Sequence, residues 1–365
     1  MSLKKADKIY FPNLDGFRTI SFLAVFLGHC FILFDFGERT FVIKCLNKVL
    51  GKPGIGVHFF FVLSGFLISY LLLSENENFK KINIPAFYMR RILRIWPVYF
   101  FVILIALGLS IIHKPYYSLH DANFFLIATF LTNFNLAIIG ISSLPITVLW
   151  SVAVEEQFYL ALPLIMYFFS KKVFYFFPIL IAFAIIFGLY HTQNITYVEF
   201  HTISVSGSLL VGCIIAYLVL YKNISSLFFN INKSFILAVY AGFLLLHLFR
   251  EKVFAPESSN ILLYFTDSLF FAFFILEQNY AKNSFYKMSN FKLLSALGKY
   301  TYGMYAYHMI FISILMTLVP YKINPANNYI SYFFLWVVAF TTTLLFAKIS
   351  YSFIEKPFLK LKEKF

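Results

Sequence analysis

His29 stands eleven residues after Arg18 in the first long apolar run of the chain, within the segments Leu14-Asp15-Gly16-Phe17-Arg18 and Leu27-Gly28-His29. An ionisable side chain at membrane depth is costly, so its presence there points to a function or to a dedicated partner. Eleven residues of helix amount to three turns plus roughly 20°, which puts both side chains on one face, about 16 Å apart along the axis. The arginine offers a planar five-donor fork for phosphate or carboxylate. The histidine offers proton transfer near neutral pH. One helix would then hold an anion at one end and move a proton at the other. The plainer alternative for His29 is a buried imidazole hydrogen-bonded to a neighbouring helix.

Other polar residues in apolar surroundings extend this pattern. Only six of the 30 basic residues are arginine, and four of the six are Arg18, Arg90, Arg91 and Arg94. Arg91 and Arg94 are three apart and share a helix face; they read as an anion site, or otherwise as an ordinary topology anchor. The stretch Trp150–Tyr159 carries Glu155 and Glu156 side by side. Adjacent helical residues diverge by about 100°, so the two carboxylates should have different partners. Glu155 is expected near the depth of His29, where it would fix the imidazole tautomer. Tyr305 and His308 also share a face, and either could donate a hydrogen bond to a developing oxyanion. His58 is expected near the end of its span, and Glu355, just before Pro357, should pair with nearby arginines. No glycine-rich phosphate loop, HExxH site or GxSxG elbow is present. Eight dispersed histidines and three cysteines without a CxxC pair give no reason to expect a metal or a bound cofactor.

The elements that must position these groups are membrane helices. The 365-residue chain is 61% hydrophobic and only 13% charged, whereas soluble domains run at about 45–50% and about 25%. Apolar runs of spanning length fall near 17–36, 54–74, 95–113, 147–169, 173–190, 200–221, 234–250, 258–277, 296–319 and 329–354. The interrupted run 122–142, with Asn133, Asn135 and Gly140, is resolved by the positive-inside rule. Left out as a span, it lets Lys4, Lys5 and Lys8, the 75–94 loop, Lys171-Lys172 and the lysine-rich tail share the cytoplasmic side. It is therefore expected to be re-entrant or interfacial, under cover of protein. The expectation is an all-α polytopic bundle of about ten spans, both termini cytoplasmic, forming a single membrane domain over 1–365. Asp15, Arg18 and His29 interrupt the first run, so it reads as a retained helix rather than a signal peptide. The net charge of +14 flanks the apolar runs, which fits orientation and contact with lipid better than binding of nucleic acid.

These segments together resemble the acyltransferase-3 family of membrane acyltransferases, of the O-antigen acetylase type. The resemblance is carried by Leu-Asp-Gly-Phe-Arg with His29 beyond it, Gly-Val-His-Phe-Phe-Phe-Val-Leu-Ser-Gly-Phe-Leu-Ile, Arg-Arg-x-x-Arg and Trp-Ser-Val-Ala-Val-Glu-Glu-Gln-Phe-Tyr. Tyr-Gly-Met-Tyr-x-x-His and the terminal Ile-Glu-Lys-Pro-Phe complete the series, in family order, from residue 14 to 358.

The resemblance implies an enzyme of the bacterial inner membrane that passes an acyl group, usually acetyl, from acyl-CoA to a carbohydrate hydroxyl. It implies that Arg18 and His29 are essential and that Arg91 and Arg94 belong to the functional core. Position 58, often Asp in the family, is His here, and the esterase-like C-terminal domain of some relatives is not found in the sequence. The working expectation makes His29 the general base, oriented by Glu155, with Arg18, Arg91 and Arg94 on the CoA phosphates. Asp15, Tyr305 and His308 complete the substrate-binding set. The rival is a flippase for a lipid-linked sugar with His29 and Glu155 as a proton relay.

Overall fold

The computed structural model describes residues 9–33, 41–112, 123–140, 145–254, 260–318 and 329–365. Lys4, Lys5, Lys8, Arg39 and the two ends of the 122–142 run lie outside the described residues. Among the described residues every regular element is helical. In chain order these are α1 (Pro12–Leu33), α2 (Phe41–Leu50), α3 (Gly54–Phe79), α4 (Ile84–Ile112), α5 (Phe124–Ala128) and α6 (Thr132–Ile138). Then follow α7 (Trp150–Phe169), α8 (Phe177–Tyr190), α9 (Ile195–Phe200), α10 (Thr202–Lys222), α11 (Ile224–Phe229) and α12 (Lys233–Val253). The series closes with α13 (Asn260–Tyr280), α14 (Lys292–Leu297), α15 (Thr301–Leu318), α16 (Tyr329–Ser350) and α17 (Lys356–Lys362).

Nine helical stretches among the described residues are long and apolar enough to cross a membrane. The shorter α8, 14 residues, occupies the place of the remaining expected span. The start of the described chain and its C-terminal helix α17 lie near one another. Tyr10 and Lys362 line the same cavity, and Arg90 Nη1 donates to the carbonyl of Phe365 at 2.8 Å.

The described part of the 122–142 run, residues 123–140, does not form a helix of spanning length. It breaks into α5 and α6 at Phe130, whose φ of 59° is a conformation that bulky side chains rarely adopt. The surroundings hold that break in place. Gln157 Nε2 donates to the Phe130 carbonyl at 2.9 Å, Tyr99 OH donates to the Ile127 carbonyl at 2.6 Å, and the Phe130 ring stacks on Tyr99 with centroids 4.2 Å apart. Asn133, fully buried, donates to the Phe200 carbonyl and to Thr202 Oγ1. Non-helical backbone inside an apolar bundle needs such partners, because no water is there to replace them.

Helix α3 is the spine, packed on α1, α7, α10 and α13. Apolar side chains alone give little drive for helix association in lipid, so close approach of backbones matters. Gly65 of α3 and Gly212 of α10 supply it: a Cβ on Gly65 would collide with the Leu209 carbonyl, and one on Gly212 with the Val62 carbonyl. On the opposite side of α3, Gly56 lies against the Ser21 carbonyl and Val25 of α1. The rings of Phe59 and Phe271 stack at 4.4 Å, and Phe17 joins them from α1. A bulky group at the α3–α10 contact must therefore force two backbones apart. Gly65→Val should destabilise the protein by roughly 1–3 kcal/mol or more, seen as a lowered thermal unfolding midpoint in detergent. An unchanged midpoint would show that this contact is not a determinant of the fold.

Candidate active site

The polar residues singled out by the sequence sort into two layers, the first lining a cavity of about 250 Å³ and the second lying beyond its end at Ser151 and Tyr305. The first layer is cationic. Arg18 Nη1 bonds Asp15 Oδ1 at 2.7 Å, and Asp15 Oδ2 accepts from Tyr10 OH at 2.8 Å. Asp15 thus aims Arg18 into the cavity. Arg91 is buried between the rings of Phe87 and Tyr159, with its guanidinium carbon 5.5 and 5.8 Å from their centroids. Its Nε has no partner among the described residues. Arg94 makes no hydrogen bond to a described residue and stands within electrostatic reach of Glu155 and Glu355. Arg90, the first of the run, points away: it holds Glu75 and the chain terminus. Three arginines and Lys362 thus face the cavity against Asp15 and Glu155, a cationic excess suited to a polyanion.

Glu155 belongs to this arginine layer and not to His29. Ser64 Oγ donates to Glu155 Oε1 at 2.5 Å, and Tyr159 OH donates to Ser64 Oγ at 3.1 Å. The expectation that Glu155 orients His29 is corrected by helix register. Ser151 of α7 meets Tyr305, so Glu155, one turn further along, is carried toward the arginines. Glu156 diverges as expected and accepts from Trp96 Nε1 at 3.0 Å.

The second layer is a histidine pair that the sequence did not pair. His308 is fully buried. Its Nδ1 lies 2.6 Å from the Tyr305 carbonyl oxygen, and its Nε2 lies 3.1 Å from His29 Nδ1. A carbonyl oxygen only accepts, so His308 carries its proton on Nδ1. In neutral His308, Nε2 is then a lone pair and must accept from His29 Nδ1–H. Neutral His29 is left with its lone pair on Nε2, the form a general base requires. The work expected of Glu155 is done here by a second imidazole and a backbone carbonyl.

The same bonds change the roles expected of Tyr305 and His308. Tyr305 OH donates to the Val148 carbonyl at 3.0 Å and shares a 2.6 Å bond with Ser151 Oγ. Ser151 stands further from that carbonyl, at 3.4 Å, so the Tyr305 proton goes to Val148. Both nitrogens of His308 are engaged. Neither residue has a proton free for an oxyanion, and both are positioning groups.

His58 is buried apart from this site, 2.7 Å from Ser208 Oγ and stacked on Tyr264 at 4.1 Å. Glu355 lies within electrostatic reach of Arg94 at the end of a π-helical turn over Tyr351–Glu355, but it forms no ion pair with an arginine among the described residues and its Oε1 has no hydrogen-bond partner, so the expected pairing is not made. Ser64, Tyr159 and Lys362 are cavity residues that sequence reasoning missed. Only Ser64 had a signal, as a hydroxyl in the small-residue stretch of α3. No group of histidine, cysteine or carboxylate side chains among the described residues could hold a metal ion. Removing the Ser64 hydroxyl leaves Glu155 without its donor. Ser64→Ala should cost roughly 1–3 kcal/mol, read as a lower unfolding midpoint, and an unshifted midpoint would show that cavity water replaces the hydroxyl.

Comparison with known proteins finds one matching family and named relatives. The family described as acyltransferase domain matches residues 11–351. The O-acetyltransferase OatA of Staphylococcus aureus (strain NCTC 8325 / PS 47) is 28% identical over 98% of this chain and 59% of its own length. The peptidoglycan O-acetyltransferase OatA of Listeria monocytogenes is 26% identical over 96% of this chain and 56% of its own length. The chain thus spans less than two thirds of these relatives. No solved structure matches it.

Proposed function

The chain belongs to the acyltransferase-3 family, and from that premise we propose that it is a membrane O-acetyltransferase passing an acetyl group from acetyl-CoA to a carbohydrate hydroxyl of the cell envelope. The observation that carries this reading is the contact of His29 Nδ1 with His308 Nε2, itself backed by the Tyr305 carbonyl, on the same helix as Arg18 three turns away. The name of the Listeria relative favours peptidoglycan as the acceptor class.

In this reading the arginine layer faces the cytoplasm of a bacterial inner membrane, where acyl-CoA is found, and both chain ends lie on that side. Arg18, Arg91 and Arg94 hold the donor's phosphates through charge-assisted hydrogen bonds. The pantetheine arm runs past Ser64 and Ser151, whose hydroxyls suit its amides, and brings the thioester toward His29. Glu155 offsets part of the arginine charge and keeps Ser64 in place. His29 Nε2 removes the proton from the acceptor hydroxyl as its oxygen attacks the thioester carbonyl. The new C–O bond forms, the C–S bond breaks, and the proton passes from His29 to the leaving thiolate. The products are an acetyl ester and free CoA. While His29 is protonated, its Nδ1–H continues to donate to His308 Nε2, so the relay stabilises the cation it has helped to form.

His29→Ala should insert and fold normally and lose transfer by about 10²–10⁴-fold; a fully active variant would sink the mechanism. The relay has its own signature: His308→Phe should lower kcat nearly as far, whereas His308→Gln, whose amide oxygen can accept from His29 Nδ1–H, should recover part of it. Equal loss in both variants would reduce His308 to a packing role.

Acetyl-CoA should raise the thermal midpoint of the purified protein, and Arg91→Gln with Arg94→Gln should abolish most of that shift. Charge-assisted bonds are worth roughly 1.5–3 kcal/mol each, so affinity should fall by at least about tenfold. Undiminished stabilisation of the double variant would remove the arginines from the donor site.

A further inference from the structure

We infer that Phe60 sets the length of the acyl group this chain can transfer, by closing an aromatic cap against Tyr305 between the donor cavity and the histidine pair. The inference rests on the donor reading given above. Phe60, Ser151 and Tyr305 line the cavity, whereas His29 and His308 do not. Phe60 lies one helical turn from Ser64, and Ser151 one turn from Glu155, in both cases toward the N-terminus of the helix. The cap is therefore the layer next to the Ser64–Glu155 bond on the side away from the arginines.

Its two rings meet edge to face, with centroids 5.9 Å apart at 74°. The Tyr305 ring lies 5.7 Å from the His308 ring, and His308 bonds the Tyr305 backbone. The pair thus stands between the cavity and the base. An acyl group on its way to His29 must fit beside these rings.

The two halves of the cap differ in freedom. Tyr305 is pinned by Val148 and Ser151 through its hydroxyl and by His308 through its carbonyl. Phe60 has no polar anchor and is only half-buried, facing into the cavity. Tyr305 cannot yield without disturbing the relay, so the room left for the acyl chain depends on Phe60. Its flat ring admits a two-carbon acyl group and obstructs longer ones. A methylene that an apolar pocket must exclude is worth roughly 10- to 200-fold in rate.

The test measures thioester consumption from acetyl-, butyryl- and hexanoyl-CoA by the full chain in liposomes, with an N-acetylglucosamine oligomer as acceptor probe. Thermal stabilisation by each donor is measured on the same preparations. The wild type should prefer acetyl over butyryl by at least about tenfold. Phe60→Ala should shrink that ratio at least about tenfold and should admit hexanoyl transfer, and Phe60→Leu should fall between. If both variants are stabilised by acetyl-CoA and transfer acetyl with the wild-type length ratio, the cap proposal is overturned while the donor reading stands. If no acyl-CoA stabilises even the wild type, the donor reading fails and this inference falls with it. Should Phe60→Ala fail to fold, Phe60→Leu decides: an unaltered ratio there overturns the proposal.

Discussion

An apolar bundle penalises a charge that nothing answers, and the arrangement of this protein follows from how most of its buried ionisable groups are met. Arg18 is aimed by Asp15, and Arg91 is held between aromatic faces. Glu155 is answered by Ser64, and His29 by His308. Away from the site the same rule joins His247 to Asp267 at 3.0 Å, both fully buried, where α12 meets α13. What stays unanswered is therefore informative. Buried atoms of Arg91, Glu156, Arg250, Asp267 and Glu355 have no hydrogen-bond partner among the described residues, and of these residues Arg91, with its neighbour Arg94, lines the cavity, where an anionic ligand would meet them.

Helix packing serves the same end. The glycines of α3 let α1 and α10 approach closely from opposite sides. That brings the aimed arginine of α1, the hydroxyl of Ser64 and the carboxylate of α7 around one space. The broken α5–α6 segment supports α7 from outside: Gln157, which secures Phe130, also bonds Asn133 and accepts from Thr202. A bundle of uninterrupted helices would have no polar backbone at that position for Gln157 to bind.

Features that depend on composition or on spacing within one helix were legible from the sequence. The helical class, the interruption of the apolar run within 123–140, the shared face of Arg18 and His29, and the divergence of Glu155 from Glu156 all depend on periodicity, charge placement or apolar length. The partners of His29 were not legible, because they depend on the axial register between α1, α7 and α15. A slip of one turn moves a side chain about 5 Å, enough to exchange Glu155 for His308 as its neighbour. Tyr305 shows the same limit. Its side chain offered a donor, but Val148 and Ser151, which take up that hydroxyl, belong to a helix start that no pattern fixed to the residue.

The placement of Arg18 and His29 on a single helix turns α1 into a ruler. Helices in a bundle can slide, tilt and part, yet the span between two residues of one unbroken helix is set by its hydrogen bonds and not by its neighbours. Of the described groups proposed to grip an anion or to move a proton, Arg18 and His29 are the only pair that joins the two tasks on one unbroken helix. Arg91 and Arg94 ride on α4, and His308 on α15, so both can be displaced relative to the ruler. Any movement that admits a donor or releases a product must take place around α1 rather than along it.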